Sequence, residues 1–479
     1  MSASREKRER KLSKEPAPVK KTHKLRNWLI VCVVAVALLY MAASSLGMFH
    51  RALAAVSVGD VSFSAAEVNM SFNVMVQQYG LSKEEAETYK AYLLPDVRNN
   101  LQNEGMLSRE AEKNGMALSE ENKQMIEATV SYMKEQAKLA NMSFPSFMAL
   151  NYGEGVTESV FRKATARSLL AYQWQQKKQE EFSAPTEECE TYYTGHTEAI
   201  DKAVYYSYSV TWTTEEEATE EEIAAAKAAA KAKAGTLNSG ATSLDSLYEG
   251  LQALEIDTTK DALVRTAYLS NVSPTELQDF LKDSARKRGD HTLIETDSAY
   301  NVVIFESLAR EEYLAPSYDS ITVTPSDAED AASLQEARDK ADAILQEWQA
   351  GEKTEASFTA LAAQKAESGV VTDNGLTENA VKTFMNSEEQ AWLFNTARKT
   401  GDAVVVDTGS SYKIIYFVKW SDKPYWEIMT NNMIINEKAG EYTAQLAEQY
   451  PYKTHVLGQL LVTNKEEPEE PSPSEDVLE

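Results

Sequence analysis

The chain contains one stretch twice. Residues 285–313, ARKRGDHTLIETDSAYNVVIFESLAREEY, and residues 397–425, ARKTGDAVVVDTGSSYKIIYFVKWSDKPY, share Ala, Arg, Lys, Gly, Asp, Thr, Ser, Tyr, Phe and Tyr at one constant offset. Self-similarity at a fixed period marks a duplicated structural unit, and it restricts the fold more than local propensity does. Each copy has the same grammar: a basic helix end (Arg286 and Lys287; Arg398 and Lys399), a glycine that stops it (Gly289; Gly401), then two short β runs around a turn. Basic residues in a last helical turn with Gly beyond them suit the chemistry of a helix C-terminus.

The order upstream of each copy repeats as well. Ala203–Trp212 is a β run of aromatic and β-branched residues, followed by an Ala/Lys helix from Glu220 to Ala234 closed by Gly235. In the second copy Ser320–Thr324 is the strand and Ala331–Ala350 a helix closed by Gly351. A further helix, Ser357–Ala366, turns Phe358, Leu361 and Ala362 inward. Each copy thus reads β-α-α-α-β-β, an α+β unit with a mainly antiparallel sheet.

The formal net charge of -26 is unevenly spread, because the first 26 residues carry ten Lys or Arg against three Glu. An acidic body lacks the cations that would release counterions from a phosphate backbone, so nucleic acid is not an expected partner. From Asn27 to Phe49 no residue is charged, long enough for the ~20 residues of a membrane span. The basic side of that run is expected in the cytoplasm and the remainder outside it. Ala52-Leu53-Ala54 has the form of a signal-peptidase site. His50 and Arg51 intervene, however, and the apolar run exceeds a usual signal core, so the segment reads as an uncleaved anchor in a single-pass cell-membrane protein. Cys32 and Cys189 are the only cysteines, and Cys32 lies in the apolar run, so no disulfide links the other segments.

Val56–Ser64, VSVGDVSFS, reads as a hairpin around Gly59-Asp60. Helical patterns follow to about residue 182, with Leu93, Val97, Leu101 and Met106 on one apolar face and Val160, Phe161, Leu169, Leu170 and Trp174 on another, punctuated by Gly105, Gly115, Pro145 and Gly153. Pro185 opens a short helix at its first position. Pro424–Tyr450 is a last amphipathic helix with Trp426, Met429, Met433, Tyr442 and Leu446 on one side. The organisation expected is a basic cytoplasmic tail (1–26), a transmembrane signal anchor (27–49), a helical domain (55–200), two repeated domains (203–310 and 316–421), a C-terminal helical segment (422–462) and a disordered acidic tail (463–479).

Several stretches carry a family resemblance. They are the VxVGDxxxS hairpin, Leu107–Gly115 with its EAxKxG ending, Pro185–Tyr193, Ser357–Ala366, Asn374-Gly375-Leu376 and Gly401-Asp402. In this order they resemble the SurA/PrsA-type extracytoplasmic foldases, in which parvulin-type peptidyl-prolyl isomerase modules are mounted on a helical chaperone domain. The resemblance covers residues 55 to 455. It implies an α+β multidomain fold: a SurA-N-like helical domain, two tandem parvulin-like modules and a C-terminal helix.

The resemblance also says where catalysis should sit. Active parvulins place one His at the start of the first strand and another just after a Gly-Tyr in the last hairpin. By position these fall on Ser207 and Asn301 in the first module, and on Ser320 and Lys413 in the second. Lysine has three donors and no acceptor, so it cannot stand in for an imidazole at neutral pH. Both modules are therefore expected not to catalyse. No phosphate loop, no GxSxG and no Cys/His metal spacing appears, and no cofactor or metal is expected. Cys189, flanked by Glu188 and Glu190, has a disfavoured thiolate and reads as a bystander.

What remains is binding. Eight of the fourteen Met lie between Met70 and Met148. Flexible, polarizable Met can repack around different partners, although it also serves as ordinary core filler. The candidate peptide-binding residues are Met70 and Met75 in the helical domain, and Phe384, Met385, Trp392 and Tyr412 in the second module, with Phe280 matching Trp392 in the first. The expected role is a membrane-anchored chaperone or foldase that binds unfolded exported polypeptides, with a homodimer as one assembly. Two other readings are an active prolyl isomerase using Tyr412 and Lys413, and a bitopic envelope scaffold with one dedicated partner.

Overall fold

The computed structural model of the chain describes residues 47–212, 218–367, 369, 371–382 and 385–463. Most of the expected anchor (to residue 46), Phe384 and the acidic tail beyond residue 463 lie outside the described residues. Among those described, no helix is long and apolar enough to cross a membrane.

The elements follow in chain order: α1 (Met48–Ala52), β1 (Ala54–Val58), β2 (Val61–Ser64), α2 (Ala65–Gln78), α3 (Lys83–Thr88), α4 (Lys90–Lys113), α5 (Glu120–Leu139), α6 (Phe144–Tyr152) and α7 (Glu158–Phe182). Next come α8 (Thr186–Gly195), α9 (Thr197–Ile200), β3 (Lys202–Thr211), α10 (Glu220–Gly240), α11 (Leu244–Ala253), β4 (Val264–Tyr268), α12 (Thr275–Lys282), β5 (His291–Glu295) and β6 (Ala299–Ala309). The second repeat holds β7 (Leu314–Val323), α13 (Ala331–Ala350), α14 (Glu355–Glu367), β8 (Thr372–Thr377), α15 (Ser387–Leu393), β9 (Ala403–Asp407) and β10 (Tyr412–Pro424). The chain closes with α16 (Tyr425–Gln449), β11 (Tyr452–Thr454) and α17 (Val456–Gln459). They fall into two compact units, one joining the chain up to Phe182 with the stretch from Lys438 onward, the other Ser183–Glu437.

In the first unit the expected hairpin forms with a left-handed Gly59 (φ 58) at its turn, a conformation Gly adopts without steric cost. A third strand joins it: β11 pairs antiparallel with β1, Val56 opposite Thr454, giving the order β11-β1-β2. The apolar face read in α4 is buried, with Leu93, Val97, Leu101 and Met106 in one cluster with Phe63, Trp174 and Leu446. The N-terminal and C-terminal parts of this unit thus share a core, and the Trp174 indole donates to the Tyr442 hydroxyl at 2.9 Å. Gly105 does not interrupt the helices as expected. It sits inside α4, where a Cβ would stand 2.7 Å from Val58 Cβ, so it is the close approach of β1 that calls for glycine there.

In the second unit each repeat carries a four-stranded antiparallel sheet, ordered β4-β3-β6-β5 and β8-β7-β10-β9. The order within a copy is β-α-α-β-α-β-β, which corrects the reading made without β4 and β8. Both are edge strands, and β8, TDNGLT, has little intrinsic strand preference. Its pairing with β7 imposes the conformation, helped by Asn374, whose side chain donates to Ser320 Oγ at 3.2 Å and Thr322 Oγ1 at 2.8 Å. The period-2 alternation of the central strands feeds two cores per repeat. Ile414 and Tyr416 face α13 and α14, whereas Ile415 and Phe417 face α15.

Three further boundaries differ from the expected ones. Helix α10 runs through Gly235 to Gly240, and Pro185 is the N-cap of α8 rather than its first residue. The repeated Arg and Lys are not helix ends: α12 stops at Lys282 and α15 at Leu393, and ARKxGD is a turn that hands the chain into a strand. In both copies the Asp side chain accepts from the Lys backbone (Asp290 from Lys287 at 2.9 Å; Asp402 from Lys399 at 3.0 Å). The Gly N–H bonds to the last-strand Phe carbonyl in each (Gly289 to Phe305 at 2.9 Å; Gly401 to Phe417 at 3.0 Å). The motif therefore pins the two strands of each hairpin in register.

Candidate functional site

Ser64 starts the first site. FSAAE is a capping box: Ser64 N and Oγ donate to Glu67 Oε2 at 2.7 and 2.8 Å, and Glu67 N donates back to Ser64 Oγ at 3.3 Å. This fixes the first turn of α2 and turns the other carboxylate oxygen of Glu67 inward, 3.0 Å from Arg167 Nη2 on α7. That oxygen is buried and lacks a hydrogen bond of good geometry. Arg167 also reaches Glu104 of α4, Nε to Oε1 at 2.5 Å, and lays its guanidinium 4.0 Å from the Phe63 ring centroid.

Burial and pairing pull the two carboxyls apart. Burial raises the Glu67 carboxyl, but Arg167, both Ser64 donors and Lys163 outweigh it and hold it below the usual carboxylate range. Burial dominates at Glu104 and pushes it upward against the opposing pull of Arg167.

These residues line a cleft of about 600 Å³ among α2, α4 and α7. Its apolar surface includes Met70, Met75, Leu101, Leu107 and Phe161, and side-chain amides such as Gln77, Asn100, Asn103 and Gln175 line it too. Of the candidates from sequence, Met70 and Met75 come together here. The amides supply donors and acceptors that match a peptide backbone whatever its side chains, whereas Met70, Met75 and Phe161, at 8%, 4% and 6% exposed, belong mainly to the helical cores and show the cleft little of their surface. Glu67, Glu104 and Arg167 escaped the sequence reading. Ser64-x-x-Glu67 carried a legible capping signal, but the partners from α4 and α7 carried none.

The second unit places Met385, Trp392 and Tyr412 on two faces of the second repeat's sheet, and Phe280 on the sheet of the first. Met385 and Trp392 pack on the α15 side with Phe417, Ile415 and Trp420. Tyr412 does not join them: it is buried on the opposite side with Trp348 and Phe358. Trp392 lies under the repeated arginine, Arg398 Cζ standing 4.3 Å from its ring, and Phe280 lies under Arg286 at 3.9 Å. Each Arg also donates to the carbonyl of the residue it covers, at 3.1 Å in both copies. Phe280 and Trp392 therefore anchor the ARKxGD turns.

Lys413 pairs with Glu389 of α15 at 2.5 Å, and Glu389 is 5% exposed. Ser320 is buried and accepts from Asn374. In the first module Asn301 accepts from Ser209 across the β3/β6 ladder, where Ser207 lies opposite Val303. These contacts are internal to the fold, and Lys413 in its ion pair offers no acceptor to a substrate.

Residues 19–175 match the sequence model of the SurA-like N-terminal domain. That stretch, about a third of the chain, is similar to a SurA-like N-terminal domain. No curated protein sequence matches the chain. Among solved structures it is similar to one reported for PEB4 and the periplasmic protein Cj1289, SurA-like chaperones of Campylobacter jejuni, at 12% identity over 54% of this chain and 82% of that one, with a TM-score of 0.15. It is also similar to the foldase PrsA of Lactococcus lactis, at 12% identity over 67% of this chain and 95% of that one, with a TM-score of 0.20. At such scores neither superposition bears on the arrangement of the domains.

Proposed function

We propose that this SurA-like protein is a membrane-anchored extracytoplasmic chaperone that holds segments of unfolded exported polypeptides in the α2/α4/α7 cleft, with parvulin-like modules that do not catalyse. The observation that carries the reading is the cleft itself, in which Met70 and Met75 meet side-chain amides inside the SurA-like domain. The uncharged run Asn27–Phe49, with its basic flank, supports a cytoplasmic N-terminus and an extracytoplasmic body. The modules support the fold of the second unit, and their Ser207/Asn301 and Ser320/Lys413 positions provide no imidazole pair.

Filling the cleft tests the client site. Ser168, exposed on α7, lines it, so Ser168→Trp is expected to abolish suppression of light scattering by a refolding reporter enzyme while leaving the melting temperature unchanged. Full suppression by Ser168→Trp would move the client site elsewhere. In a protease-coupled assay on an X-Pro peptide, the wild-type chain is expected to leave the uncatalysed rate unchanged.

A further inference from the structure

An apolar corner of the first unit is uncovered. Val456, Leu457 and Leu460, in and just after α17, are 78%, 67% and 67% exposed. Isolated exposed apolar residues are ordinary, but three within five residues form a patch. The corner adjoins the start of β1. Gly458 packs so tightly on Ala54 that a Cβ would stand 2.0 Å from the Ala54 carbonyl oxygen, and His455 N and Gln459 Nε2 both donate to the Ala55 carbonyl. Ala54 is five residues beyond Phe49, where the uncharged run ends. Most of the interval is the short helix α1, so at a rise of ~1.5 Å per residue the run ends within roughly 10 Å of this contact.

Charge singles out the same corner. The whole chain holds 74 Asp and Glu, yet the two segments that meet here, residues 47–59 and 451–463, contain none. They supply Arg51, Lys453, His50 and His455 instead, with His50 held 3.4 Å from Glu154. Exposed Leu and Val beside basic residues match a bilayer interface, where acyl chains take the apolar groups and headgroup phosphates the cations. On the anchored reading above, on which this inference rests, we propose that Val456, Leu457 and Leu460 insert into the outer interface of the membrane and seat the SurA-like domain on the bilayer. The C-terminal return of the chain would then serve as a second membrane contact beside the anchor.

The test uses the full chain, with Cys32→Ala and Cys189→Ala, reconstituted into phosphatidylcholine vesicles and labelled with an environment-sensitive fluorophore through Leu457→Cys or Asp60→Cys. Asp60 sits in the β1–β2 turn, at the far end of β1 from Ala54. The expected result is blue-shifted emission at position 457, quenched by headgroup-proximal doxyl lipid, with position 60 unquenched. Protein that stays with the vesicles through an alkaline wash but shows equal, unquenched emission at both positions would overturn the inference and leave the anchor standing. Protein washed off the vesicles would overturn the anchor and the inference together. Burial of position 457 that scales with protein-to-lipid ratio, without doxyl quenching, would assign the patch to a second copy and also overturn it.

Discussion

Glu67 combines a helix cap with a charged floor for the cleft, and the two roles separate by substitution. Glu67→Gln keeps an acceptor for Ser64 but loses the charge facing Arg167, and is expected to cost about 1–3 kcal/mol, measured by urea unfolding. Glu104→Gln acts in the other direction, because burial works against its ionised form while the amide oxygen still accepts from Arg167. Its unfolding midpoint at pH 7 is expected to equal or exceed that of the wild type. The pH dependence has opposite signs at the two sites. The folded pKa of Glu67 lies below its ordinary 4.5, so its contribution is complete above pH 4.5 and lost as pH falls through the folded value. Glu104 is raised, so its contribution is complete below 4.5 and lost as pH rises through its folded value. Melting curves between pH 3 and 7 check both, since Glu67→Gln should flatten the acid limb and Glu104→Gln the limb above it. Of this site Met70 and Met75 were read from the sequence, and the Ser64-x-x-Glu67 spacing carried a local signal; Arg167 lies 63 residues from Glu104, and nothing local links them.

Elements divide into those that carry their own signal and those that neighbours impose. Helix α13 ended where Gly351 predicted, and α4 buried the face its spacing marked, because both depend on local periodicity. Strand β8 depends on β7, some fifty residues earlier, and the ARKxGD turns on side-chain and strand contacts that no periodic pattern marks, so the same residues were assigned a different local structure. Gly105 belongs to this second class, and two magnitudes decide its substitution. Ala is worth about 1 kcal/mol more than Gly in a helix interior, whereas overpacking a closed core costs about 1–3 kcal/mol. Val58 is fully buried on β1 and has no room to move, so Gly105→Ala is expected to lower the melting temperature despite its better propensity. Lys413→Ala tests the other unit. It leaves Glu389 buried without its cation at a cost of about 2–3 kcal/mol, moderated because the lysine is partly solvated. Lys413→Met, which keeps the packing but not the charge, should behave similarly if the ion pair matters and near wild type if only volume does.

At the level of the whole chain, composition and repetition revealed the modules, whereas the closure of the first unit by the C-terminus had no sequence signature. A three-residue strand such as β11 is too short for a periodic pattern, and its partner β1 lies almost four hundred residues earlier. Two compact units also mean that unfolding need not be a single all-or-none step. Deleting residues 451–479 separates them experimentally. It removes β11, the Gly458 contact on Ala54 and the buried Val462, while no residue of Ser183–Glu437 is lost. Uncovering one or two apolar side chains and an edge strand costs about 3–5 kcal/mol, which lowers the melting of a unit this size by on the order of 10 °C. Calorimetry of the truncated chain should therefore show one transition moved down by that amount and a second left in place. A common shift of both transitions would mean that the two units unfold as one cooperative body, and the return of the C-terminus would then stabilise the molecule rather than its SurA-like domain alone.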